Sequence, residues 1–285
     1  GLRKRLNAAC WNGRFYTHFK KITPVEIPGV DEAGQLSFSN AMNINRGVTD
    51  PEMAASILRE YQARKENTGA FAEWFSIDPA FPDGIFGDEK IVAGAYCNGG
   101  IMPLVGGELA RAYLENGFEQ AGVETLRRYH GLIAEKGETY LWYFPDGTAS
   151  SIESSTSPDA MPTDGWGSSA MLYGLTEGLV GIQDQGCLMD AVRLCPRWAA
   201  AGVTAAEARI GYEVSGASLG YRYEEKSDGL SLEIETEAAD VDLFLLLPSG
   251  TSVREVTGPG GSLEFSESTV GGSRYLSARL PIRKS

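Results

Sequence analysis

Histidine is nearly missing from this chain, with only His18 and His130 among 285 residues. That scarcity argues against a histidine-built metal site and against a Ser-His-Asp machine. His130 falls in a helical pattern and reads as structural. Cysteine is also sparse: Cys10, Cys97, Cys187 and Cys195 contain no C-x-x-C pair. Free, partly buried thiols are expected, with one or two disulfides left open if the protein is exported. No apolar run approaches the ~20 residues that a membrane helix needs. No apolar core of signal-peptide type follows the start Gly1-Leu2-Arg3-Lys4-Arg5-Leu6, which favours a cytoplasmic location. Basic residues are outnumbered, 25 Lys and Arg against 38 Asp and Glu, giving a net charge of −13. Neither a nucleic-acid nor an anionic-membrane partner is expected of such a surface, and a neutral substrate suits it.

What remains is an ordinary globular balance, 42% hydrophobic and 22% charged, long enough for one large or two ordinary domains. The stretch from Tyr140 to Ile182 organises it. Tyr140, Trp142 and Phe144 alternate in an aromatic strand, Pro145-Asp146-Gly147 makes a turn, and a long polar loop carries one early acid, Glu153. The loop ends at Asp164-Gly165, where an apolar helix starts with Trp166. Polar loops are commonly plain solvated connections. Loops this long lean towards function, and aromatic rings beside a carboxylate suit the apolar faces and hydroxyls of a sugar.

The periodicity predicts helices near 2–10, 36–45, 50–67, 99–116, 118–136 and 166–181. The signature Thr49-Asp50-Pro51-Glu52 starts the third with a cap, a proline and an acid. Residues 24–34 and the aromatic segment 71–89, with Trp74, read as loops. That second loop is either packed on the core or one wall of a cleft. Tyr96 precedes Asn98, whose amide could serve a sugar hydroxyl pair or cap the next helix. Beyond Ile182 the period changes to two: strands are expected at 191–194, 209–214, 219–224, 230–236, 241–247 and 275–280, with turns at Ser227-Asp228-Gly229 and Pro248-Ser249-Gly250. The expected fold class is α plus β: a helical region, 1–185, then an antiparallel β-sandwich, 186–285.

Glu153, a polar spacer and Gly165-Trp166-Gly167-Ser168-Ser169-Ala170 opening a helix together resemble the C-terminal part of the six-hairpin, (α/α)6-barrel glycosidases. That group includes processing α-glucosidase I, trehalase, glucoamylase and the glucosidase part of glycogen-debranching enzymes. Trp11-Asn12-Gly13-Arg14-Phe15-Tyr16 and Tyr96-Cys97-Asn98-Gly99-Gly100-Ile101-Met102-Pro103 resemble two further segments of the group. Met102 stands where tryptophan is common there. The resemblance covers about half of a helical toroid plus the sandwich that follows it. It implies that Glu153 is a general base, that Trp74, Tyr96, Asn98, Trp142, Asp164 and Trp166 contact carbohydrate, and that no metal or cofactor is needed. It also implies that the general acid lies in an upstream or separate N-terminal half of the barrel. Within the chain, Glu73 and Asp78 are the nearest substitutes for that acid, and Glu177 is the reserve catalytic carboxylate. The function implied is inverting hydrolysis of α-linked glucosides or oligosaccharides. Two other functions fit the same scaffold: a non-catalytic carbohydrate-binding or scaffold protein, and a phosphorolytic or isomerising sugar enzyme, against which the shortage of basic residues weighs.

Overall fold

A computed structural model describes residues 1–23, 25–156 and 161–280. Pro24 of the predicted 24–34 loop, residues 157–160 of the polar loop, and 281–285 of the predicted sandwich lie outside the described residues. The chain divides into two compact units. One comprises 1–112 and 124–172, the other 113–123 and 173–285.

The first unit is mainly helical. Helix α1 spans Leu2–Cys10, as predicted, and buries none of its side chains. The predicted 36–45 helix is shorter than expected. Leu36–Ser37 forms β1, paired antiparallel with β2, Ile77–Asp78, and α2 runs only over Ser39–Asn45. Leu36 is fully buried, and its tertiary pairing overrides local helix propensity. Helix α3, Pro51–Thr68, begins as its sequence dictates: Asp50 Oδ1 accepts the Met53 N–H at 2.8 Å, and Gly69 ends it in the left-handed region at φ 68°. Ile57, Leu58 and Tyr61 form its buried face, and the Tyr61 hydroxyl donates to the Ser37 carbonyl at 2.9 Å. On the other side of α3, Arg64 joins Asp78 at 3.0 Å and Glu60 at 2.9 Å, fastening the β1–β2 pair to the helix.

Helix α4 spans Pro103–Glu115 and α5 Glu119–Lys136, joined at Asn116-Gly117. The predicted start of α4 at 99 is four residues early. Gly99 has φ 95°, and Gly100 to Met102 instead make backbone hydrogen bonds to neighbouring loops. Helix α6, Trp166–Tyr173, packs closely on α4. A Cβ at Gly107 would collide with the Ala170 carbonyl, and one at Gly106 would stand 2.6 Å from the Trp74 ring. Glycine is thus what permits the approach.

Helix α6 passes into a π-helical segment, Gly174–Leu179, closed by the Val180 N–H on the Leu175 carbonyl at 2.9 Å. The second unit then becomes β. Strands β3 (Ile182–Asp184), β4 (Ala191–Leu194), β5 (Ala205–Gly211), β6 (Ser218–Lys226), β7 (Gly229–Thr236) and β8 (Asp240–Leu246) follow in order. A short pair, β9 (Thr257–Gly258) and β10 (Gly261–Ser262), precedes β11 (Ser266–Val270) and β12 (Ser273–Leu280). One sheet has the order β11-β12-β8-β4-β3 and another the order β5-β6-β7. Their apolar faces share one core, with Val192, Leu194, Leu219, Tyr221, Tyr223, Val241 and Leu243 among its members. That is a sandwich arrangement. It is not purely antiparallel, however: β4 and β8 pair in parallel, Val192 opposite Val241.

Within this unit the start of α5 is tied to β12. Glu119 accepts from the Ser273 hydroxyl at 2.6 Å and from Tyr275, whose phenol also accepts from Arg197 Nε at 3.2 Å. Arg197 is almost wholly buried and donates further to the Gly178 carbonyl at 2.5 Å.

Candidate functional site

Three loop segments of the first unit are laced side by side by backbone bonds. Ile101 exchanges two bonds with Tyr143, both 2.8 Å, the Met102 N–H reaches the Trp74 carbonyl at 2.8 Å, and the Ser76 N–H reaches Gly100 at 2.8 Å. The segments carrying Trp74, Asn98 and Trp142 are therefore neighbours. The predicted 140–144 strand exists as isolated bridges, Tyr140 to Thr163 and Tyr143 to Ile101 and Ala149. The Pro145-Asp146-Gly147 turn is formed, with the Gly147 N–H on the Phe144 carbonyl at 2.9 Å.

The polar loop leaves this ribbon at Ser150, whose N–H donates to the Trp142 carbonyl at 3.1 Å. Glu153 follows in an exposed turn built by serines. The Ser151 N–H donates to Ser154 Oγ at 2.8 Å, and Ser155 Oγ donates to the Ser151 carbonyl at 2.9 Å. The Ser151 hydroxyl, the residue's own N–H and the nearby charge of Lys90 hold the Glu153 carboxyl below the usual carboxylate range. Like any solvent-exposed carboxylate, it is ionised at neutral pH. Lys90, half-buried, also donates to the Ser155 carbonyl at 2.7 Å, so one cation both ties down the loop and faces its acid. Lys90 was not among the expected site residues. Nothing in Asp88-Glu89-Lys90 marks it in the sequence.

The other predicted contact residues take varied positions. Trp74 is fully buried, edge-on to Phe71 at 6.0 Å and Tyr129 at 6.4 Å. Asn98 is also buried: Oδ1 accepts the Phe81 N–H at 2.7 Å and Nδ2 donates to the Phe81 carbonyl at 3.0 Å. Trp142 is buried with its ring edge-to-face against Phe144 at 4.7 Å. Tyr96 is half-buried with φ 42°, a left-handed backbone uncommon for a non-glycine residue. Asp164 caps α6, accepting the Gly167 N–H at 3.0 Å, and Trp166 on the first turn of that helix is 59% exposed. Glu177 sits on the π-helical segment and belongs to the second unit, unlike Glu153.

Of the two substitute acids, Glu73 is buried with Lys65 Nζ 3.9 Å away. Asp78 is raised above the usual carboxylate range by burial, against the lowering effect of Arg64. Asp146 is lowered, like Glu153, in its case by the Thr148 N–H in the turn. Among the described residues, no group of three or more His, Cys, Asp or Glu side chains is placed to hold a metal ion.

No family model matches the chain, and no curated protein matches it. Solved structures do. The chain is similar to an α-L-rhamnosidase from Dictyoglumus thermophilum with TM-score 0.51 and 9% identity, over 98% of this chain and 27% of that one. A GH78-family rhamnosidase of Bacillus sp. GL1 aligns with TM-score 0.45 and 13% identity, over 87% of this chain and 30% of that one. The chain therefore spans under a third of either structure's length, and the likeness to the first shows a shared fold.

Proposed function

We propose that this chain is part of a glycoside hydrolase, with its helices forming part of an (α/α)6-type toroid and Glu153 acting as the general base of an inverting reaction. The observation that carries this reading is the environment of Glu153. Its exposed carboxylate stands in a serine turn hung from the ribbon that carries Trp142, by the bond from the Ser150 N–H to the Trp142 carbonyl. An inverting base must be ionised to take a proton from water, while a separate acid protonates the leaving oxygen from ~6.5–9.5 Å away. Trp166 and Tyr96 retain exposed surface for a sugar face. Buried Trp74 and Asn98 act by shaping the loops behind it, and Asp164 by starting the helix that presents Trp166.

The acid is supplied by an N-terminal half of the toroid, encoded upstream or separately. Glu73 and Asp78 are the in-chain alternatives, each beside a base: Asp78 is bonded by Arg64 at 3.0 Å, and Glu73 lies 3.9 Å from Lys65. The sequence resemblance favours α-glucosides, whereas the likeness to the Dictyoglumus rhamnosidase favours α-L-rhamnosides, so both substrates enter the test. The experiment measures hydrolysis of aryl α-D-glucoside and aryl α-L-rhamnoside by the longest polypeptide that contains this chain. Turnover of either substrate that is lost in Glu153→Gln supports the proposal. Binding of either sugar without turnover favours the non-catalytic reading.

A further inference from the structure

The sandwich of the second unit contains a space that its own side chains do not fill. Leu230, Leu232 and Ile234 of β7 point inward by strand alternation, yet all three remain half-buried. Opposite them stand Leu243, Leu245 and Leu276, and between lies a cavity of about 860 Å³. Its origin is the mismatch of the sheets. Three strands cannot cover the inner face of five, and the uncovered end is closed by the connection from Leu247 to Leu263, which supplies only single aliphatic side chains such as Val253 and Val256. The space is a half-open cleft with an aliphatic floor and a polar upper wall, and protein interiors normally close-pack, so covering the aliphatic floor would be favourable. The volume falls in the range of small-molecule sites, ~300–1,000 Å³.

The lining specifies the occupant. Branched aliphatic residues form its floor, polar and charged residues its upper wall, and no aromatic ring lines it, so it offers no platform for a sugar face. The mouth carries Glu225, Asp228 and Glu255 against Lys226 and Arg254, three acids to two bases, and Lys226 is already paired with Glu224 at 2.8 Å. An anionic head group would meet a slightly acidic rim. Ser227, Thr251 and Ser252 at the same rim suit an uncharged polar head.

We propose that this cavity binds the aliphatic chain of a neutral amphiphile, with the chain between β7 and β8 and the head at the 225–229 and 251–255 rim. The site lies wholly in the second unit and does not depend on the role of Glu153.

The test is calorimetric titration of the full chain with decyl tetraethylene glycol ether below its micelle-forming concentration. Octyl ether, decanoate and tetraethylene glycol are run alongside. One molecule of decyl ether should bind per chain, about tenfold more tightly than octyl ether, since each buried methylene contributes ~0.8 kcal/mol. Decanoate should bind more weakly, and tetraethylene glycol should not bind. Leu232→Trp fills the space and should abolish binding. Leu230→Phe, nearer the open edge, is the milder variant and should weaken it with the fold intact by circular dichroism. Glu153→Gln should leave it unchanged. No binding of the decyl ether, no dependence on chain length, or undiminished binding in folded Leu230→Phe would overturn the proposal. Tighter binding of decanoate would overturn the neutral head group.

Discussion

Asn98 and Phe81 are bonded as if the asparagine side chain were a second backbone: its carbonyl accepts the Phe81 N–H at 2.7 Å, and its amide donates to the Phe81 carbonyl at 3.0 Å. The site is fully buried, so removing the amide strands one donor and one acceptor without water. Asn98→Ala should cost roughly 2–6 kcal/mol, from ~1–3 kcal/mol for each of the two unsatisfied groups. Urea unfolding checks this, and a loss under ~1 kcal/mol would mean that solvent reaches the loop.

Two glycines in helices should respond oppositely to alanine. At Gly107 a Cβ collides with the Ala170 backbone, so Gly107→Ala must push α4 and α6 apart and destabilise by ~1–3 kcal/mol or more. Gly131, on the exposed face of α5, has no atom within 4 Å of an added methyl group, so Gly131→Ala should stabilise by ~0.5–1 kcal/mol. Thermal unfolding of the two variants tests both signs at once.

Local signals in the sequence foretell only part of this structure. Helix α3 could be read to within a residue because Asp50 caps it, Pro51 starts it and Gly69 stops it. Strands β6, β7 and β8 could be read because apolar residues alternate where one face packs on the core, and this holds even for β7 at the edge of its sheet. Strand β11 could not. Ser266-Glu267-Ser268-Thr269-Val270 lies at the sheet edge and is mostly exposed, so no apolar alternation marks it. Leu36–Ser37 read as helix because its partner, Ile77–Asp78, is some forty residues away. In the candidate site, residue types pointed to the Glu153 loop, but burial is not written in a residue type. Nothing local distinguishes Trp74, sealed against Gly106, from Trp166, which is exposed.

Burial of His18 lowers its affinity for a proton in the folded state, against the raising effect of its hydrogen bond to Gln35 at 3.0 Å. The unfolded chain therefore takes up that proton first as pH falls. The contribution of His18 to stability should be neutral above its ordinary value of about 6.5 and should decline below it, levelling off once pH passes the folded value. Denaturant midpoints measured across that window should show the decline, and His18→Gln should remove that part of it.

Arg197 is a buried cation whose Nε donates to Tyr275 and whose Nη1 donates to the Gly178 carbonyl. Arg197→Met keeps much of the volume but leaves Tyr275 and Glu119 without the positive charge behind them. A loss of about 3–5 kcal/mol in denaturant unfolding is expected, as for breaking a buried charged network. Tyr275→Phe should destabilise less, because Glu119 keeps its bond from Ser273.

The role proposed for Glu153 also predicts an effect at Lys90. Lys90→Met removes a charge that holds the carboxyl down, so the acidic limb of any pH–rate profile should move to higher pH, while Lys90→Arg should leave it near its original position. Ser151→Ala removes the larger influence on the carboxyl and should move the limb further the same way, and a limb that moves in neither variant would mean that the titrating group is elsewhere.

If Glu153 activates water for glycoside hydrolysis, its loss must appear in turnover. The deciding measurement is the kcat of the longest polypeptide containing this chain, on aryl α-D-glucoside and aryl α-L-rhamnoside, with and without Glu153→Gln. A drop on the order of 10²–10⁴, with unchanged circular dichroism, is predicted for loss of a general base. An active Glu153→Gln enzyme would contradict it and shift the assignment to Glu177 or another carboxylate.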